Sequence, residues 1–310
     1  MYFLSNLMIE NMTIKIITNR ANNVFEEANK IFNEYIKENK LKPKKSTLVY
    51  LSRYNITNWI NIFVVDKDSI TNIKKHTIYI SNKKTCSDLI RKYNFFEYYP
   101  VTYNYKNDII DFNKNKLYFI KKSVATCSKG VICMKGEQLL KYKLKDDETI
   151  QEGITDIKLI DGKKFIIRAY IIIYNKKIYL SSYAYCAIFN KKYNKDESNH
   201  NIQVCYPHER YFIPLHNTEY SSYINNIKDS LLKIKKIFLP IINNSVNEFT
   251  IIGPDILITS DNKIKFIEFN HYPNLKHKPH INKEVGYKMI FDLLNLLFLD
   301  KKNDTLIEII

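Results

Sequence analysis

Asp255, Glu268 and Asn270 could together hold a hard metal ion, because they place oxygen ligands on two neighbouring strand-like runs. Residues 250–270 read TIIGPDILITSDNKIKFIEFN, in which two apolar, β-branched runs flank the polar tripeptide SDN. Turn-forming residues between two such runs predict a β-hairpin. The three candidate ligands would then lie on its two strands.

The pairing register of this hairpin decides whether the ligands meet. A four-residue loop at residues 260–263 pairs Thr259 with Ile264, which sets Asp255 directly across from Glu268. Directly opposed side chains lie roughly 4.5–5.5 Å apart, and like charges at that distance destabilise a sheet. A positive group is therefore expected between the two carboxylates.

Alternation of side chains along a strand places Asn270 on the same face as Glu268, with Ile264 and Phe266 beside them. Two carboxylates and an amide oxygen, without a thiolate or an imidazole, form a ligand set suited to Mg²⁺ that holds phosphates. Two alternatives stay open: acidic residues are common on exposed sheet faces, and a one-residue error in register would separate the pair.

Composition and charge restrict the class of protein further. The chain has 310 residues, with 45% apolar and 26% charged residues, as is ordinary for a globular protein. Its net charge of +16 predicts an anionic partner, although lysines that are scattered along the chain also serve solubility. The 6 glycines form neither a dinucleotide-binding fingerprint nor a Walker loop.

The cysteines and the apolar runs indicate a cytoplasmic protein without a membrane span. The 5 cysteines are widely spaced and form no CxxC pair, which is typical of reduced thiols. The first residues, MYFLSNLMIENM, lack the basic region and the cleavage site of a signal peptide. No uncharged apolar run reaches the roughly 18 residues that a membrane-spanning helix needs.

Apolar periodicity predicts an α/β protein whose first lobe comprises residues 1–105. Residues 190–216 are long, polar and aromatic, and are interpreted as a functional loop or a mobile lid. Strands are predicted at residues 14–18, 47–51, 59–65, 76–80, 117–122, 131–134, 165–174 and 177–189. Helices are predicted at residues 22–40, 84–93, 136–142, 221–238 and 283–299.

Short motifs run in a fixed order along about residues 80–300. They are PVTY at 100–103, FIKK at 119–122, SKGV at 128–131, IQEGI at 150–154, LIDGKKFIIR at 159–168, SNHNIQ at 198–203, GPD at 253–255 and FIEFNHYPNL at 266–275. Together they resemble the motifs of tubulin tyrosine ligase-like proteins, a branch of the ATP-grasp ligases. The resemblance implies an ATP-grasp fold of three lobes, with a nucleotide bound between a central lobe at residues 106–155 and a C-terminal lobe at residues 156–310.

On the nucleotide side, the resemblance implies that Lys122 and Lys164 lie under the ATP phosphates, as compact cations suited to phosphate. It also implies that Gln151 and Ile154 border the adenine. Each residue also has an ordinary alternative. Either lysine could be a solvated surface charge, Gln151 could simply end a strand, and Ile154 could be a core residue.

On the metal and substrate side, the resemblance implies that Asp255, Glu268 and Asn270 hold Mg²⁺ against the phosphates. Arg168 would clamp the carboxylate of an incoming amino acid, and Asn199 would lie beside the reacting phosphate. Arg168 could instead form a structural ion pair on a strand, and Asn199 could instead cap a lid loop.

The implied chemistry is phosphorylation of a carboxylate by ATP, followed by attack of an amine on the acyl phosphate. This chemistry needs no protein nucleophile, in keeping with the lack of a Ser/His/Asp or Cys/His signature, and the lone Cys127 is expected to be inert. His271, His277 and His280 admit a zinc site, but a basic loop facing the substrate is favoured.

Three departures from the family motifs concern the phosphate and acceptor sides. Ile166 stands where the family has Asp, and Ser128 replaces the first Gly of the phosphate loop. The strand over residues 183–189 is apolar where the family carries an Arg directed at the phosphate. The nucleotide site is thus better preserved than the acceptor side, and an inactive relative that binds nucleotide is an alternative.

The sequence therefore predicts a monomeric ATP- and Mg²⁺-dependent ligase that adds an amino acid to an acidic protein, with a tubulin tail as the acceptor expected for the family. The alternative is an inactive ATP-grasp scaffold that binds an anionic partner such as nucleic acid or a cytoskeletal polymer. Which amino acid is joined, to which acceptor and in how many copies does not follow from the sequence.

Overall fold

A computed structural model of the chain describes residues 13–19, 22–51, 69–72, 77–109, 111–125, 130–243, 245 and 248–310. The strand predicted at residues 59–65 lies outside these ranges, as do the first twelve residues, Cys127 and Ser128.

The described residues form strands and helices in alternation. Strands β1 to β7 are Lys15–Thr18, Thr47–Tyr50, Ser69–Asn72, Thr102–Tyr103, Leu117–Lys122, Val131–Lys135 and Glu148–Glu152. Strands β8 to β14 are Leu159–Ile160, Lys163–Tyr174, Lys177–Lys192, Arg210–Pro214, Glu248–Ile258, Ile264–His271 and Leu306–Glu308. Helices α1 to α9 are Asn22–Glu38, Thr77–Ser81, Lys83–Lys92, Gly136–Lys141, His200–Gln203, Tyr223–Ile234, Leu239–Ile242, Pro279–Ile281 and Tyr287–Leu299.

Among the described residues, these strands build a sheet of 10 strands and a smaller sheet of 4. The main path of the large sheet runs β1-β2-β3-β12-β9-β10-β11, with β13, β14 and β8 paired alongside, and the small sheet runs β4-β7-β5-β6. Strands β1 to β3 pair in parallel and continue directly into β12. The first predicted lobe therefore shares its sheet with the last, and the lobe boundaries stay a prediction.

Helices cover both faces of the large sheet, which explains why its central strand is apolar almost throughout. Along β9, Ile171 and Ile173 pack with α6 and α7 on one face, while Tyr170 and Ile172 pack with α1 and α9 on the other. A strand buried on both faces shows a continuous apolar run instead of alternation.

The turn between β9 and β10 follows from its sequence. Asn175 and Lys176 both adopt positive φ, 45° and 63°, as the two central residues of a tight hairpin turn do. This confirms the hairpin predicted at residues 165–189, although β10 extends three residues further, to Lys192.

Two predicted elements are wrong. In the strand predicted at residues 76–80, the described residues 77–80 belong to helix α2, because Asn82 caps the next helix, its side chain accepting hydrogen bonds from the amides of Lys84 and Thr85, and the short apolar run ahead of it packs as a helical turn. Residues 190–216 are not one loop: they contain the end of β10, helix α5 and strand β11, which pairs with β10.

Two predicted helices change geometry part-way. The helix predicted at residues 221–238 ends as an α-helix at Ile234 and continues as a 3₁₀ turn, Lys235–Phe238. The last helix opens with a π turn at Asn282–Gly286. None of the helices in the described part of the chain has the length and apolar character that a membrane crossing requires.

Candidate active site

A cavity of about 910 Å³ opens between the two sheets, and this cavity is called the cleft below. The small sheet lines it with Phe119, Lys121 and Gln151, and the large sheet lines it with residues of β9 to β13. A cleft of this size between two sheets is large enough for a nucleotide and a small substrate.

The carboxylates predicted to meet do meet. Asp255 of β12 pairs with Glu268 of β13, and Gly253 pairs with Asn270. On the other side of β12, Asp255 pairs with Arg168 of β9, which in turn pairs with Tyr185 of β10. Directly paired residues point to the same face of a sheet, so these side chains form one row across four strands.

The predicted register of the turn is wrong by one residue, and a β-bulge restores the pairing at the site. Ile264 pairs with Ile258 and not with Thr259, and Phe266 pairs with Ile256. The next pair is Asp255 with Glu268, so Ile267 is an extra residue on β13.

Because of the bulge, the prediction that Ile264 and Phe266 share a face of β13 with Glu268 and Asn270 is wrong. Ile264 and Phe266 lie in the hydrophobic core, where Phe266 stacks on Phe269 at 5.3 Å between ring centroids. They do not share a face with Glu268 and Asn270, which line the cleft. The extra residue reverses the alternation, so that the even-numbered side chains Ile264 and Phe266 point to the core before the bulge, whereas Glu268 and Asn270 point to the cleft after it.

Hydrogen bonds and ion pairs hold these ligands in place. Nε of Arg168 donates to Oδ1 of Asp255 at 2.6 Å, and Nδ2 of Asn270 donates to Oε1 of Glu268 at 3.1 Å and to the carbonyl of Gly253 at 3.2 Å. Nζ of Lys83 lies 3.6 Å from Oε2 of Glu268. Each carboxylate thus has its own cation: Arg168 for Asp255 and Lys83 for Glu268.

The two carboxyl groups differ in their tendency to ionise. Burial and the neighbouring Glu268 raise the pKa of Asp255 against the opposing effect of Arg168. Burial would also raise the pKa of Glu268, but Lys83 and Lys121 outweigh it and hold that pKa below its usual range. Glu268 is therefore the more firmly charged member of the pair.

Lys122 was predicted in the cleft, and the structure places Lys121 there instead. Strand β5 alternates, so that Phe119 and Lys121 line the cleft while Tyr118 and Ile120 lie in the core of the small sheet. Lys122 points to the same face as Tyr118 and Ile120, and it is exposed to solvent at the end of the strand. The sequence does not reveal this, because LYFI offers apolar residues to both faces.

Lys83 is a cleft residue that sequence reasoning missed. It is 8% exposed, and Nζ donates to the carbonyl of Ala125 at 3.0 Å besides approaching Glu268. It begins α3 directly after the capping residue Asn82. In a lysine-rich chain, the signal in the sequence that could have distinguished Lys83 is its position as the first residue of a capped helix.

Lys164, which was predicted to lie under the ATP phosphates, lines the cleft. It is 4% exposed, its Nζ donates to the carbonyl of Gln203 at 2.8 Å, and the rings of Phe119, Phe189 and Tyr193 lie within 5.9 Å of it. Burial lowers the pKa of Lys164 to about 7, and the charges of Lys121 and Arg210 act in the same direction. This lysine is thus poised to gain a proton when an anion enters.

Arg210 is a second missed residue of the cleft. It lies on β11 opposite Phe189, with Cζ 4.9 Å from that ring's centroid, and donates to the carbonyls of Val204 and Cys205. The strand that was noted as lacking an Arg therefore receives one from its neighbour, through a pairing that the sequence does not show.

Gln151 and Ile154, which were predicted to border the adenine, line the cleft at the end of β7. Nε2 of Gln151 donates to Oγ1 of Thr102 at 3.1 Å, which fixes the side chain between β7 and β4. Ile166, which stands in place of the family's Asp, lies beside them at 7% exposure.

Asn199 was predicted beside a reacting phosphate, and the structure places it outside the cleft lining. Its side chain caps α5, where Oδ1 accepts a hydrogen bond from the amide of Asn201 at 3.0 Å, and the residue is exposed. The capping alternative describes this asparagine.

Arg168 was predicted to bind an amino acid's carboxylate; it forms the ion pair that was the alternative, with Asp255, and it also lines the cleft. Tyr185 and His277 lie next to it, with their rings 4.7 Å apart. Burial lowers the pKa of His277 to about 4, and Arg168 contributes, so this imidazole is neutral at pH 7. Among the described residues, no three His, Cys, Asp or Glu side chains cluster as metal ligands.

Comparisons with known proteins agree with this geometry. The model of the tubulin-tyrosine ligase family matches residues 213–305. The protein named "Probable alpha-tubulin polyglutamylase Ttll1" of Tetrahymena thermophila is 21% identical over 259 residues, which cover 68% of this chain and 63% of that protein. The resemblance to tubulin tyrosine ligase-like proteins is confirmed.

The chain is also 24% identical over 234 residues to the human protein named "Tubulin polyglutamylase TTLL6", covering 61% of this chain and 26% of that protein. It thus spans less than two thirds of either relative's length. The C-terminal domain of Pby1 from K. lactis, an ATP-grasp enzyme that interacts with the mRNA decapping enzyme Dcp2, superposes with a TM-score of 0.67 and 16% identity, over 96% of this chain and 98% of that one. The fold is therefore an ATP-grasp fold, as predicted.

Proposed function

We propose that this protein is an ATP- and Mg²⁺-dependent ligase that joins an amino acid to a carboxylate of an acidic protein. The observation that supports it most is the row of Arg168, Asp255 and Glu268 across three adjacent strands, which faces buried lysines across a nucleotide-sized cleft. Tubulin is the acceptor to test first, because the names of both relatives specify tubulin as their substrate.

The ligand set fits Mg²⁺. Asp255 and Glu268 are opposed carboxylates, and the amide of Asn270 is held between Glu268 and a carbonyl, so that hard oxygen atoms gather at one point. These three residues would hold the ion. When bound, it would neutralise the charge that develops on the phosphates during transfer.

Four cations would bind the phosphates. Lys83, Lys121, Lys164 and Arg210 all line the cleft, where Glu268 lies near Lys83 and Lys121. Phosphoryl transfer depends on positioning and on charge neutralisation, which such an excess of positive charge provides. Gln151 and Ile154, beside Phe119, would border the base.

Arg168 would bind the carboxylate of the incoming amino acid. Its Nε is engaged by Asp255, and a guanidinium has further N–H groups in a planar fork that suits a second carboxylate. An oxygen of the acceptor carboxylate would attack the γ-phosphorus and displace ADP. The amine would then attack the carbonyl carbon of the acyl phosphate, release phosphate and lose a proton.

The substitution Glu268→Gln tests this function. It removes one negative charge from the ligand set and keeps the side chain's size, so ADP release in the presence of ATP, Mg²⁺, amino acid and acceptor is expected to fall at least about a hundredfold. Glu137→Gln, on the exposed face of α4, is the matched control and should behave as the wild type. Full activity in Glu268→Gln would contradict the assignment.

The second candidate is an inactive scaffold that binds nucleotide, and the observation that favours it is the apolar Ile166 in the cleft where the family has an acid. ADP release that requires both an amino acid and an acceptor supports the ligase. Binding of ATP without turnover, across a panel of amino acids with tubulin and acidic peptides, supports the scaffold.

A further inference from the structure

The β-bulge at Ile267 determines where Glu268 lies. Without the extra residue, the ladder that begins with Ile258 and Ile264 would continue in regular steps and place Ile267, not Glu268, opposite Asp255. A shift of one residue sends every following side chain to the other face of the sheet. The metal ligands of β13 therefore depend on whatever fixes this bulge.

The free edge of β13 is bonded to one short stretch of chain, residues 96–99, which is called the edge segment below. In the described sheet, β13 pairs only with β12, so its other edge faces this segment. The amide of Phe266 donates to the carbonyl of Tyr98 at 2.8 Å, and Nζ of Lys265 donates to the carbonyl of Phe96 at 3.0 Å. Both bonds act directly before the bulge.

Tyr99 bonds to the bulged residue itself. Its hydroxyl donates to the carbonyl of Ile267 at 3.2 Å, and its ring is 2% exposed. The same hydroxyl lies in hydrogen-bonding reach of the side chain of Gln151, on the small sheet. Tyr99 therefore connects β13, the strand that carries Glu268, to the opposite wall of the cleft.

We propose that Tyr99 is a positioning residue: by fixing the bulge at Ile267, its hydroxyl holds Glu268 opposite Asp255 and thereby sets how tightly the cleft binds Mg²⁺ together with a nucleotide. A bulge leaves its extra residue outside the regular ladder, so the carbonyl of Ile267 needs a partner from elsewhere. The Tyr99 hydroxyl is that partner, and it contacts neither Asp255 nor Asn270 in the bonds that the structure records.

This inference rests on the proposed function, since it concerns the same ligand set, and Tyr99→Phe tests it. Titration calorimetry with a non-hydrolysable ATP analogue, in excess Mg²⁺ and again in EDTA, gives the gain in affinity that the metal confers. Loss of one neutral hydrogen bond should reduce that gain by roughly two- to tenfold. The metal-free affinity should stay unchanged, because Gln151 keeps its bond to Thr102.

Tyr98→Phe is the matched control. Tyr98 contributes its backbone carbonyl to β13, so removal of its hydroxyl should leave the Mg²⁺ gain as it is. Melting curves followed by circular dichroism should give nearly the same midpoint for both variants, since both keep their rings. An equal loss of the gain in the two variants, or an unchanged gain in Tyr99→Phe, would overturn the inference.

A double-mutant cycle shows whether Tyr99 acts through Glu268. In a Glu268→Gln background, Tyr99→Phe should cause no further loss of the Mg²⁺ gain, whereas additive losses would mean that Tyr99 acts elsewhere and would overturn the inference. A wild-type protein that gains nothing from Mg²⁺ would contradict the proposed function and this inference together. An undiminished gain in Tyr99→Phe contradicts this inference alone.

Discussion

Lys121 and Lys122 are adjacent in the chain, and their side chains lie on opposite faces of β5. Lys121 is 8% exposed and lines the cleft, where burial lowers its pKa to about 8, whereas Lys122 is exposed beyond the core of the small sheet. Chemical type therefore does not distinguish the two residues, but strand parity does. Their neighbouring positions make them a matched pair for experiment.

Lys121→Ala should weaken binding of ATP by about ten- to a hundredfold, as expected for the loss of a hydrogen bond to a charged group. Lys122→Ala should leave the affinity within about twofold, because surface substitutions away from a site have small effects. Titration calorimetry of both variants checks this. Equal losses in the two would mean that both lysines contact the phosphates.

The lowered pKa values of Lys164 and Lys121 predict that nucleotide binding depends on pH. In the free protein the pKa of Lys164 is about 7 and that of Lys121 is about 8, so both lose their protons as the pH rises to 9. A bound phosphate favours the charged forms and raises both pKa values, so binding takes up protons and the affinity falls between pH 7 and 9.

Calorimetry in two buffers of different ionisation enthalpy measures this proton uptake directly. Lys164→Met removes one of the two groups, so the uptake at pH 8 should decrease while some remains from Lys121. An affinity that is constant from pH 7 to 9 would contradict the protonation of these lysines on binding.

At the scale of elements, the β12–β13 hairpin carries the ligands, and its neighbours decide their surroundings. Gly253 pairs with Asn270 and permits a close approach: a Cβ atom at this position would lie 2.6 Å from Cβ of Pro273 and 3.1 Å from Cδ of Arg168. The hairpin, the guanidinium and the loop after β13 therefore fit together only around a residue without a side chain.

Gly253→Ala should displace Arg168 or Pro273, and we expect it to raise the KM for the amino acid and to destabilise the fold by about 1–3 kcal/mol through overpacking. Steady-state kinetics and urea unfolding check the two effects. Gly286→Ala, whose Cβ would meet Cγ1 of Val24 at 3.2 Å, is the control that tests stability without moving KM. An unchanged KM in Gly253→Ala would contradict the proposal that Arg168 binds the amino acid.

At the scale of the whole molecule, the net charge of +16 should attract a polyanionic acceptor over a distance. Since salt screens exposed charges, binding of a glutamate-rich peptide should weaken roughly tenfold between 50 and 300 mM NaCl. Fluorescence anisotropy measures it, with the same peptide carrying Gln in place of Glu as control. Affinity for the acidic peptide that does not change with salt would contradict electrostatic recruitment.

The same experiment distinguishes an acidic protein from the alternative partner, nucleic acid. A single-stranded oligonucleotide should also show a salt-dependent affinity if the positive surface acts without selectivity. Tighter binding of the peptide than of the oligonucleotide at equal salt is the outcome that the ligase proposal requires.

The sequence predicted the elements that depend on local pattern. The amphipathic helix α1, the β9–β10 hairpin with its turn at Asn175 and Lys176, and the motif order that indicated an ATP-grasp fold are all confirmed. It also predicted that Asp255 would face Glu268, although by a turn register that was one residue off. These features follow from period, turn chemistry and residue type, which are local properties of the chain.

Contacts between distant segments decided the rest. The bulge at Ile267 is bonded to Tyr99, far away in sequence, and Arg210 reaches the cleft only because β11 pairs with β10. Which of Lys121 and Lys122 enters the cleft depends on which face of β5 the core of the small sheet covers, together with Leu139 of α4. Periodicity fixes which side chains share a face, but which face meets the cleft is determined by the packing of whole sheets, and no local pattern encodes it.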